Sequence, residues 1–594
     1  MPAFFEEARS NKVEMSEAEE HAKEESPYAG RWVAKLQGRV IAQAGTPSQA
    51  RHAAQSSRPK EKAEILYMPP AVPLTLPPLV ERVHSALPEQ EIYLVGGAVR
   101  DALLGKLSHD LDFVVPGNAI SVARRVANIL KADFYVLDEG FDAARVIVTG
   151  QLSLSSQDQP ADDNNPTQVD TRAGRDILDF TSFRAGPATG EPATLEGDLR
   201  ARDFAINAIA YDMRTDSILD PMNGGADLRA RAIRACSPSA MDEDSIRILR
   251  GVRLAAALDF KIEAATREAM KIAVGRLPQI SPERQRDELF KILEGKRPDA
   301  AVRALELLGT FPYLMPELRA MKGVQQSTPH VADVWEHTLS TIQHLESILG
   351  SIAGGYNPEK NNDLLTGLLS GRKGSYRAQF ASHLGHTLNP ERSVRGLLFF
   401  AALFHDVSKP ETGSVEVGGR IRFIGHDVRG AEVAMGRAKA FNLSNDEVVR
   451  LTTIIKNHMR FHFHVNRLER EGKEPSRKAI YRFFRDAGEA GIDLILLGLA
   501  DVRGTRGHTL TQETWIHSLH VARIFLENYW EKPEESVAPP RLIDGNDLMA
   551  EYKLQSGRVI GELLETIREA QATGQISTRA EALELGRAWL RTKK

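Results

Sequence analysis

The 594-residue sequence has almost no cysteine. Cys236 is its single cysteine, so the chain cannot form an intrachain disulfide. Disulfides are common in secreted and periplasmic proteins and rare in cytosolic ones. The cysteine count therefore favours a reducing compartment, and we expect a cytoplasmic protein.

Long hydrophobic runs are also missing. The longest are GLLFFAALF at residues 396–404 and LILLGLA at residues 494–500, whereas a membrane-spanning helix needs about 20 apolar residues. Residues 1–30 carry eight glutamates against three lysines or arginines, and no apolar segment follows that could make a secretory signal. We therefore expect no membrane partner.

A strong excess of one charge is absent too. The net charge of −4 gives no bulk attraction to nucleic acid, so any such site must be a local patch. Residues 245–303 are the best candidate, with thirteen lysines or arginines against eight acidic residues. A solvated helix face would have the same composition, so charge alone does not decide between the two.

The hydrophobic pattern divides the chain into a mixed part and a helical part. Residues 1–66 are polar and without periodicity, which predicts a disordered or weakly helical extension. Strand and helix patterns then alternate, and from about residue 235 the pattern is almost entirely helical. The predicted organisation is an α/β head at 67–220, an all-α neck at 221–305, a helical domain at 306–531 with an insertion at 352–392, and a helical tail at 532–594.

The stretch LVGGAVRDALLGKLSHDLDFVV at residues 94–115 places two carboxylates on one face of a predicted strand. Asp110 and Asp112 are two residues apart, and side chains i and i+2 of a strand point to the same side. Two ionised carboxylates so close raise each other's pKa unless a cation or an arginine lies beside them. A pair of Mg²⁺ ions that bridges triphosphate oxygens and an attacking hydroxyl would need such carboxylates.

Gly96 and Gly97 lie between the preceding strand and a predicted helix. A glycine pair there lets backbone amides approach a phosphate closely, and a helix N-terminus favours an anion. Tight packing of a strand against a helix would also require small residues. Arg100 and Asp101 open the helix and favour the phosphate interpretation.

Five segments with polar residues at fixed places follow one another over about 200 residues. They are LVGGAVRDALLG with HDLDFVV at 94–115, ARDFAINAIAYD at 201–212, LDPMNGGADLRARAIR at 219–234, MDEDSIRILRGVR at 241–253 and SPERQRDEL at 281–289. Their order and content resemble the class II tRNA nucleotidyltransferase and bacterial poly(A) polymerase family, within the polymerase-β nucleotidyltransferase superfamily. The resemblance implies a multidomain protein with an α/β polymerase-β-like nucleotidyltransferase head, followed by all-α neck, HD and tail domains.

The resemblance assigns nucleotide contacts to a predicted second helix. Arg202, Asp203 and Asn207 would contact the ribose and the triphosphate, and residues 203 and 207 lie one turn apart on a helix. Capping of that helix by Asp203 is the alternative explanation. With Gly96, Gly97, Arg100 and Asp101, these residues form the predicted triphosphate site.

Nucleotide choice is assigned to a predicted third helix. Asp244 and Arg247 are three residues apart, so a carboxylate acceptor and a guanidinium donor stand side by side, with Arg250 nearby. In the family such a pair imitates the edge of a complementary base and selects CTP and ATP without a nucleic-acid template. An intrahelical salt bridge would use the same two residues.

The implied reaction is metal-assisted nucleotidyl transfer to the 3′ end of tRNA. Asp110 and Asp112 would hold Mg²⁺, and Asp179 is a candidate third carboxylate on a neighbouring strand, although aspartates at strand edges often cap turns. The RNA contacts predicted in the basic segment are Arg253, Arg284 and Arg286.

A second set of candidate residues lies on predicted helices downstream. His405 and Asp406 are adjacent, and adjacent helical side chains diverge by only about 100°, so both can reach one metal. With His337 and Asp501 they resemble the H…HD…D set of the HD-superfamily phosphohydrolases.

This second resemblance implies a divalent metal of unspecified identity and hydrolysis of phosphate esters. The substrates would be 2′,3′-cyclic or terminal phosphates on the RNA end, with Lys409 close enough to neutralise phosphate. His426 and His458 would complete a second metal position.

The sequence leaves three functions open. The leading interpretation is addition of C and A nucleotides to tRNA 3′ ends. A poly(A) polymerase, or an enzyme that adds only CC or only A, would share the same motifs. A non-catalytic RNA-binding or nucleotide-sensing protein is the alternative of another class, although a binder has no use for paired metal carboxylates. No pattern indicates an oligomeric state.

Overall fold

A computed structural model describes residues 28–69, 74–149, 175–184, 193–353, 376–389 and 392–592. The chain forms two compact units. The first unit comprises the described residues of Met1–Ala161, Asp170–Arg247 and Asp259–Met270, and the second those of Asp162–Val169, Ile248–Leu258 and Lys271–Lys594. The predicted head therefore lies in a unit that continues past residue 220.

The prediction of a disordered or weakly helical extension at residues 1–66 is wrong for residues 28–66. Residues 1–27 lie outside the described residues. The segment folds into a small module, in which a helix accompanies a three-stranded antiparallel sheet of order β2-β1-β3. Its elements are β1 (Arg31–Leu36), β2 (Arg39–Ala44), α1 (Pro47–Ser57) and β3 (Glu64–Met68).

Local signals in this segment explain why it folds. Gln37 and Gly38 both have positive φ, at 49° and 79°, which makes a two-residue turn that joins β1 to β2. Thr46 caps α1 by accepting a hydrogen bond from the amide of Gln49, and Pro47 stands at the first turn. These turn and cap residues are compatible with a polar composition, which is why composition alone gave the wrong prediction.

The main sheet of the first unit has seven strands in the order β10-β9-β4-β5-β8-β7-β6. The strands are β4 (Tyr93–Val95), β5 (Asp110–Val115), β6 (Asp133–Asp138), β7 (Ala143–Thr149), β8 (Arg175–Ser182), β9 (Ala210–Asp212) and β10 (Ser217–Leu219). β5 pairs with β4 antiparallel and with β8 parallel, so it lies inside the sheet. The position of β5 brings its side chains next to those of two other strands.

Helices and a short second sheet complete the first unit. The helices are α2 (Pro78–Ala86), α3 (Gly97–Leu103), α4 (Ala119–Leu130), α5 (Leu195–Arg200), α6 (Gly224–Ala230), α7 (Ala240–Glu243), α8 (Arg247–Leu258) and α9 (Ala264–Ala273). α8 belongs to the second unit except for Arg247, and the last residues of α9 also belong to the second unit. A 3₁₀ turn covers Ala205–Asn207, and β11 (Ala232–Ile233) pairs parallel with β12 (Lys261–Ile262).

The second unit is helical, as predicted. Its helices are α10 (Pro282–Leu293), α11 (Pro298–Leu307), α12 (Phe311–Leu314), α13 (Val334–Ala353), α14 (Arg377–Gly385), α15 (Val394–Phe404), α16 (Lys409–Thr412), α17 (His426–Ala440), α18 (Asn445–Asn457), α19 (Met459–Glu471), α20 (Arg477–Ala487), α21 (Ala490–Arg506), α22 (Gln512–Trp530), α23 (Pro533–Ser536), α24 (Gly545–Tyr552), α25 (Arg558–Ala572) and α26 (Arg579–Thr592). Further 3₁₀ turns cover Val274–Gln279, Pro316–Met321 and Gly507–Thr509. Two short hairpins pair β13 (Thr387–Asn389) with β14 (Arg392–Ser393) and β15 (Gly413–Val415) with β16 (Ile421–Phe423).

The two longest apolar runs of the sequence are the central helices of this unit. α15 and α21 are buried along almost their whole length, as expected of helices that are apolar on every side. Within the described ranges, no helix is long and apolar enough to cross a membrane. The predicted insertion at 352–392 falls largely outside the described residues.

The N-terminal module packs on the β9–β10 side of the main sheet. The indole Nε1 of Trp32 donates to the carbonyl of Ile218 over 3.0 Å, and the amide of Asp220 donates to the carbonyl of Gly45 over 2.8 Å. A Cβ atom on Gly45 would lie 1.5 Å from the Asp220 carbonyl oxygen. Only glycine therefore permits this contact between two backbone segments.

Gly45→Ala should destabilise the first unit because the added methyl group has no room. Overpacking of this kind costs about 1–3 kcal/mol, and thermal unfolding followed by circular dichroism should show a lower Tm than the wild type. The matched control is Gly117→Ala, since a Cβ atom there meets no atom within 4 Å. Equal melting of the two variants would contradict the close packing of Gly45.

Candidate active site and metal centre

The predicted carboxylate pair lies on an exposed face of β5. Asp110 and Asp112 are exposed, while Leu111 between them is buried. Asp112 is paired in the parallel register with Asp179 of β8, so Asp179 also belongs to this group. The two-residue spacing thus brings the acidic side chains together as predicted.

An arginine that sequence reasoning missed neutralises part of this group. Arg145 on β7 is paired with Asp179 in the antiparallel register, and its Nε and Nη2 atoms donate to the two carboxylate oxygens over 2.8 Å each. The hydrogen bond with Asp179 raises the pKa of Arg145, and the charges of Asp110 and Asp112 raise it further. Asp179 is therefore held by an arginine, and Asp110 and Asp112 lie on the same exposed acidic face of the sheet.

The glycine turn brings the backbone close to this carboxylate pair. Gly96 has a φ of 74°, and a Cβ atom on it would lie 3.0 Å from Asp112 Oδ2 and 3.3 Å from Arg202 Nη1. A Cβ atom on Gly97 would meet only Arg100, at 3.5 Å. Glycine is therefore required at residue 96, for backbone conformation and for space, more than at residue 97.

A hydrogen-bonded chain joins four of the predicted nucleotide contacts. Arg100 donates to Asp101 over 2.8 and 2.9 Å and to the Oδ1 atom of Asn207 over 2.8 Å. Asn207 in turn donates to Asp203 Oδ1 over 3.2 Å. The structure thus brings together residues that are about 100 positions apart in the sequence.

The prediction that Arg202, Asp203 and Asn207 lie on one helix is wrong, although these residues do converge. α5 ends at Arg200, a 3₁₀ turn covers Ala205–Asn207, and β9 begins at Ala210. The backbone amide of Ala205 donates to the carbonyl of Arg234, and Phe204 bridges to Ala235. Pairing with this distant segment outweighs the local helical pattern.

The single helix predicted to carry Asp244 and Arg247 is also wrong. Asp244 is the extended residue that ends α7, with φ −150° and ψ 97°, and Arg247 begins α8. The Arg247 guanidinium donates to the carbonyls of Ala201, over 2.8 Å, and Ala240, over 3.2 Å. The break between the helices keeps the two residues adjacent while these carbonyls fix the guanidinium.

The predicted RNA contacts lie in different environments. Arg253 donates to Glu288 over 2.8 Å, and Arg284 is exposed beside the cap of α10. Arg286 is buried and donates to the carbonyls of Phe441 and Asn442. The guanidinium of Arg286 is thus used within the helical unit, and its contact with RNA stays a prediction.

The predicted HD residues converge inside the helical unit. Two buried groups each have three ligand atoms within 4.8 Å of one another. The first group is His337, His405 and Asp501, and the second is Asp406, His426 and His458. All six residues were predicted from the sequence, including the second position.

Asp406 lies between the two groups. Its Oδ2 atom lies 3.2 Å from His405 Nε2 and 3.4 Å from His337 Nε2, and its Oδ1 atom lies 3.4 Å from His426 Nε2. The Lys409 ammonium is 2.6 Å from Oδ2. Each oxygen of this one carboxylate therefore faces a different group.

The hydrogen bonds behind three imidazoles orient lone pairs toward these groups. The Nδ1 atoms of His405, His426 and His458 lie 2.6–2.8 Å from the carbonyls of Ala402, Phe423 and Ile455. An Nδ1–H that donates to a carbonyl leaves the Nε2 lone pair pointing inward, as in metal-binding histidines.

In the second group, three hydrogen-bond acceptors therefore lie close together, and none of these three atoms is a donor. His426 Nε2 and His458 Nε2 are 3.2 Å apart, and Asp406 Oδ1 is buried without a hydrogen-bond partner among the described residues. Burial and the neighbouring His405 and His426 lower the pKa of His458 to about 3, so its imidazole is neutral near pH 7. Three converging acceptors of this kind fit a divalent cation.

In the first group, hydrogen bonds and neighbouring charges shift the pKa values of the histidine and the carboxylate. Burial lowers the pKa of His337, but hydrogen bonds with Asp406 and Asp501 outweigh it and raise the pKa to about 9. Burial disfavours the ionised form of Asp501, yet His462 and His337 hold its pKa well below the usual range. The pKa of Asp406, beside this group, is also held well below the usual range by His405 and Lys409 although burial opposes this. The carboxylates therefore stay ionised and available as ligands.

Two histidines beside the groups were not singled out from the sequence. His462 Nε2 lies 2.6 Å from Asp501 Oδ2, and the His330 ring packs edge-on against His337 at 5.3 Å. The spacing of four residues between His458 and His462 on a helix was the available signal for His462. No comparable pattern marked His330.

We expect the helical unit to bind two divalent ions, and Asp406→Ala to remove both because the carboxylate serves both groups. His337→Ala and His426→Ala should each remove about one ion per chain. Metal content after dialysis against Mn²⁺ and gel filtration, measured by plasma mass spectrometry, checks the numbers. His520→Ala, outside both groups, is the control, and full metal content in Asp406→Ala would contradict the arrangement.

Comparisons with known proteins match both parts of the chain. The model of the poly A polymerase head domain matches residues 92–234, the model of the probable RNA and SrmB-binding site of polymerase A matches residues 259–322, and the model of the putative tRNA nucleotidyltransferase domain 2 matches residues 540–585. A solved structure of a CCA-adding enzyme with ATP superposes with a TM-score of 0.52 at 20% identity, covering 86% of this chain and 97% of that one. That likeness supports the fold.

Relatives of similar length carry the stronger evidence. The CC-adding tRNA nucleotidyltransferase of Thermus thermophilus is 30% identical over 501 residues, which are 83% of this chain and 92% of the relative. The A-adding tRNA nucleotidyltransferase of Deinococcus radiodurans is 30% identical over 505 residues, which are 84% of this chain and 95% of the relative. The resemblance predicted from five motifs is confirmed, and the chain belongs to the tRNA nucleotidyltransferase family.

Proposed function

We propose that the chain adds C and A nucleotides to the 3′ end of tRNA, with CTP and ATP as substrates. The observation that carries the proposal is the pair of Asp110 and Asp112 on one exposed face of β5, in a chain of this family. In the reaction the 3′-hydroxyl of the RNA attacks the α-phosphorus of the triphosphate, and pyrophosphate leaves.

Mg²⁺ fits the carboxylate pair because it prefers oxygen ligands and is usually held by one or two carboxylates together with substrate phosphates. Bound ions would lower the pKa of the attacking hydroxyl and offset the charge that develops on the phosphates. Arg145 donates a hydrogen bond to Asp179, and Gly96 has no side chain that would crowd Asp112. These contacts support a role for Asp110 and Asp112 as the metal ligands.

Arg100, Arg202, Asp203 and Asn207 are the residues that we assign to the triphosphate and the ribose. The guanidinium of Arg100 is held by Asp101 and Asn207, and that of Arg202 by Asp198 over 3.2 Å. Fixed guanidinium groups bind phosphate oxygens at little further cost in side-chain entropy.

Asp244 and Arg247 are assigned to nucleotide choice, with Arg250 one turn further along α8. A guanidinium has five N–H donors, and the contacts of Arg247 with Ala201, Ala240 and Glu243 use three of them. The remaining donors and the adjacent carboxylate suit the edge of a cytosine or an adenine base.

A restricted enzyme is the second candidate. The relatives from Thermus thermophilus and Deinococcus radiodurans, which match along most of this chain, are named as CC-adding and A-adding enzymes. C and A addition must therefore be scored separately.

We expect C to be added to tRNA that ends at the discriminator base or at the first C, and A to tRNA that ends in CC. Purified chain with Mg²⁺ would receive each tRNA with each triphosphate, and the product ends would be sequenced. Addition of one nucleotide type alone would favour the restricted enzyme, long A tails on unrelated RNA a poly(A) polymerase, and tight RNA binding without incorporation a non-catalytic binder.

Two pairs of variants serve as controls for this assay. Asp110→Asn and Asp112→Asn should each lower the rate on the order of 10³-fold, because a metal ligand contributes several kcal/mol of charge stabilisation in the transition state. Gly96→Ala should impair addition more than Gly97→Ala, since only the former crowds Asp112.

A metal-dependent phosphohydrolase activity in the helical unit is a further proposal, supported by the two buried ligand groups. The ligands would be His337, His405, Asp406 and Asp501, with His426 and His458 at the second position. Bound metal would activate water and polarise a phosphate ester. The Lys409 ammonium, held by Asp406 and by Gln326 Oε1 at 2.7 Å, lies where it can offset phosphate charge.

His405→Ala and Asp406→Ala should abolish hydrolysis of a 2′,3′-cyclic phosphate at an RNA end while C and A addition to unblocked tRNA continues. Asp112→Asn should instead lose C and A addition and keep the hydrolysis, because Asp112 lies in the first unit. Thin-layer chromatography of end-labelled RNA measures the hydrolysis. Wild-type hydrolysis by Asp406→Ala would overturn the proposed phosphohydrolase activity.

A further inference from the structure

A cavity of about 440 Å³ lies on the helical unit between α19 and α20. Its lining includes Arg460, Phe463, His464, Lys478, Arg482 and Phe483. None of these side chains belongs to the two ligand groups of the candidate metal centre. The volume falls in the range of small-molecule sites.

One wall of the cavity is aromatic. The side chain of Phe463 is 61% exposed, and its ring packs edge-on against that of His464 with centroids 5.3 Å apart. Phe483 is buried behind them. An exposed phenyl ring offers a face for stacking of a nucleobase, which is sequence-tolerant because every base has a π-face.

The cations of the cavity are held in place by carboxylates. Lys478 and Arg482 both pair with Glu569 of α25, at 2.7 and 2.6 Å. Arg460 pairs with Asp486 and also donates to the carbonyl of Arg482 over 3.2 Å. Two carboxylates thus position three cations, so this set retains one positive charge for a single phosphate group.

His464 adds a buried polar group without a partner. The residue is 92% buried, and its Nδ1 atom has no hydrogen-bond partner among the described residues. Burial, together with Arg460 and Arg467, lowers the pKa of this imidazole to about 4, so it is neutral near pH 7. This imidazole therefore adds no positive charge to the wall of the cavity.

We propose that this cavity binds a nucleotide, with the base stacked on Phe463 and the phosphate beside Lys478 and Arg482. An aromatic face and a single excess positive charge together match a base with one phosphate. The nucleotide is either free or an unstacked residue of bound RNA, which share this chemistry. The site does not depend on the reaction of the first unit.

Photolabelling of the full-length protein tests the proposal. One arm uses 8-azido-AMP, and the other uses a tRNA transcript that contains 4-thiouridine. After irradiation and proteolysis, mass spectrometry should find the label on peptides within residues 459–487. Labelling by 8-azido-AMP alone would identify a free nucleotide, labelling by the transcript an RNA residue, and absence of both labels from these peptides would overturn the proposal.

Variants of the lining residues test whether the labelled peptides reflect binding in this cavity. Phe463→Ala should lower labelling and raise the Kd of the ligand about fivefold or more, the range typical for loss of one base–aromatic stack. Lys478→Gln should weaken binding in the same direction. Lys473→Gln is the matched control, because Lys473 is an exposed lysine between α19 and α20 that pairs with Glu471 and does not line the cavity. Unchanged binding in Phe463→Ala, with the wild-type Tm, would contradict the stacking site.

The same experiment separates this site from the proposed nucleotide addition. Asp112→Asn, which should fail in nucleotide addition, should keep wild-type labelling on residues 459–487. Loss of that label in Asp112→Asn would contradict an independent site.

Discussion

Repulsion between clustered carboxylates is the constraint on which both candidate sites depend. In the first unit, Asp110, Asp112 and Asp179 occupy neighbouring strands, and Arg145 forms a bidentate pair with one of them. The sheet register therefore gathers the three acids and places the guanidinium of Arg145 beside one of them. Carboxylates gathered in this way on one face of a sheet are the kind of ligand set that a divalent cation prefers.

The helical unit meets the same constraint in a buried setting, where unpaired charge is far more costly. Asp406 and Asp501 are surrounded by imidazoles and by Lys409, and their pKa values stay well below the usual range although burial opposes ionisation. Several candidate ligands lie where helices begin or end, such as His405 after α15 and His426 at the start of α17. Carbonyls near helix ends are available to orient the imidazoles, since they lack partners inside the helix.

Short-range rules predicted part of this arrangement. Alternation along β5 placed Asp110 and Asp112 correctly, and the apolar runs of α15 and α21 became buried helices. Tertiary pairing decided the rest: residues 202–207 follow strand and 3₁₀ geometry because they bond to residues 234–235. Arg145 and His330 carried no signal because their partners are distant in sequence, and the six metal-centre residues were found through a family resemblance rather than from spacing alone.

The N-terminal module has a consequence for the solution behaviour of the chain. β10 is the last strand of the seven-stranded sheet, and the indole of Trp32 occupies the carbonyl of Ile218 on it. An edge strand with open hydrogen-bonding groups is a template for pairing with other chains and for aggregation. The N-terminal module, whose composition predicted a disordered extension, therefore covers this edge of the sheet. Its removal would expose an edge strand that can pair with other chains, and it would remove no residue of the two candidate sites.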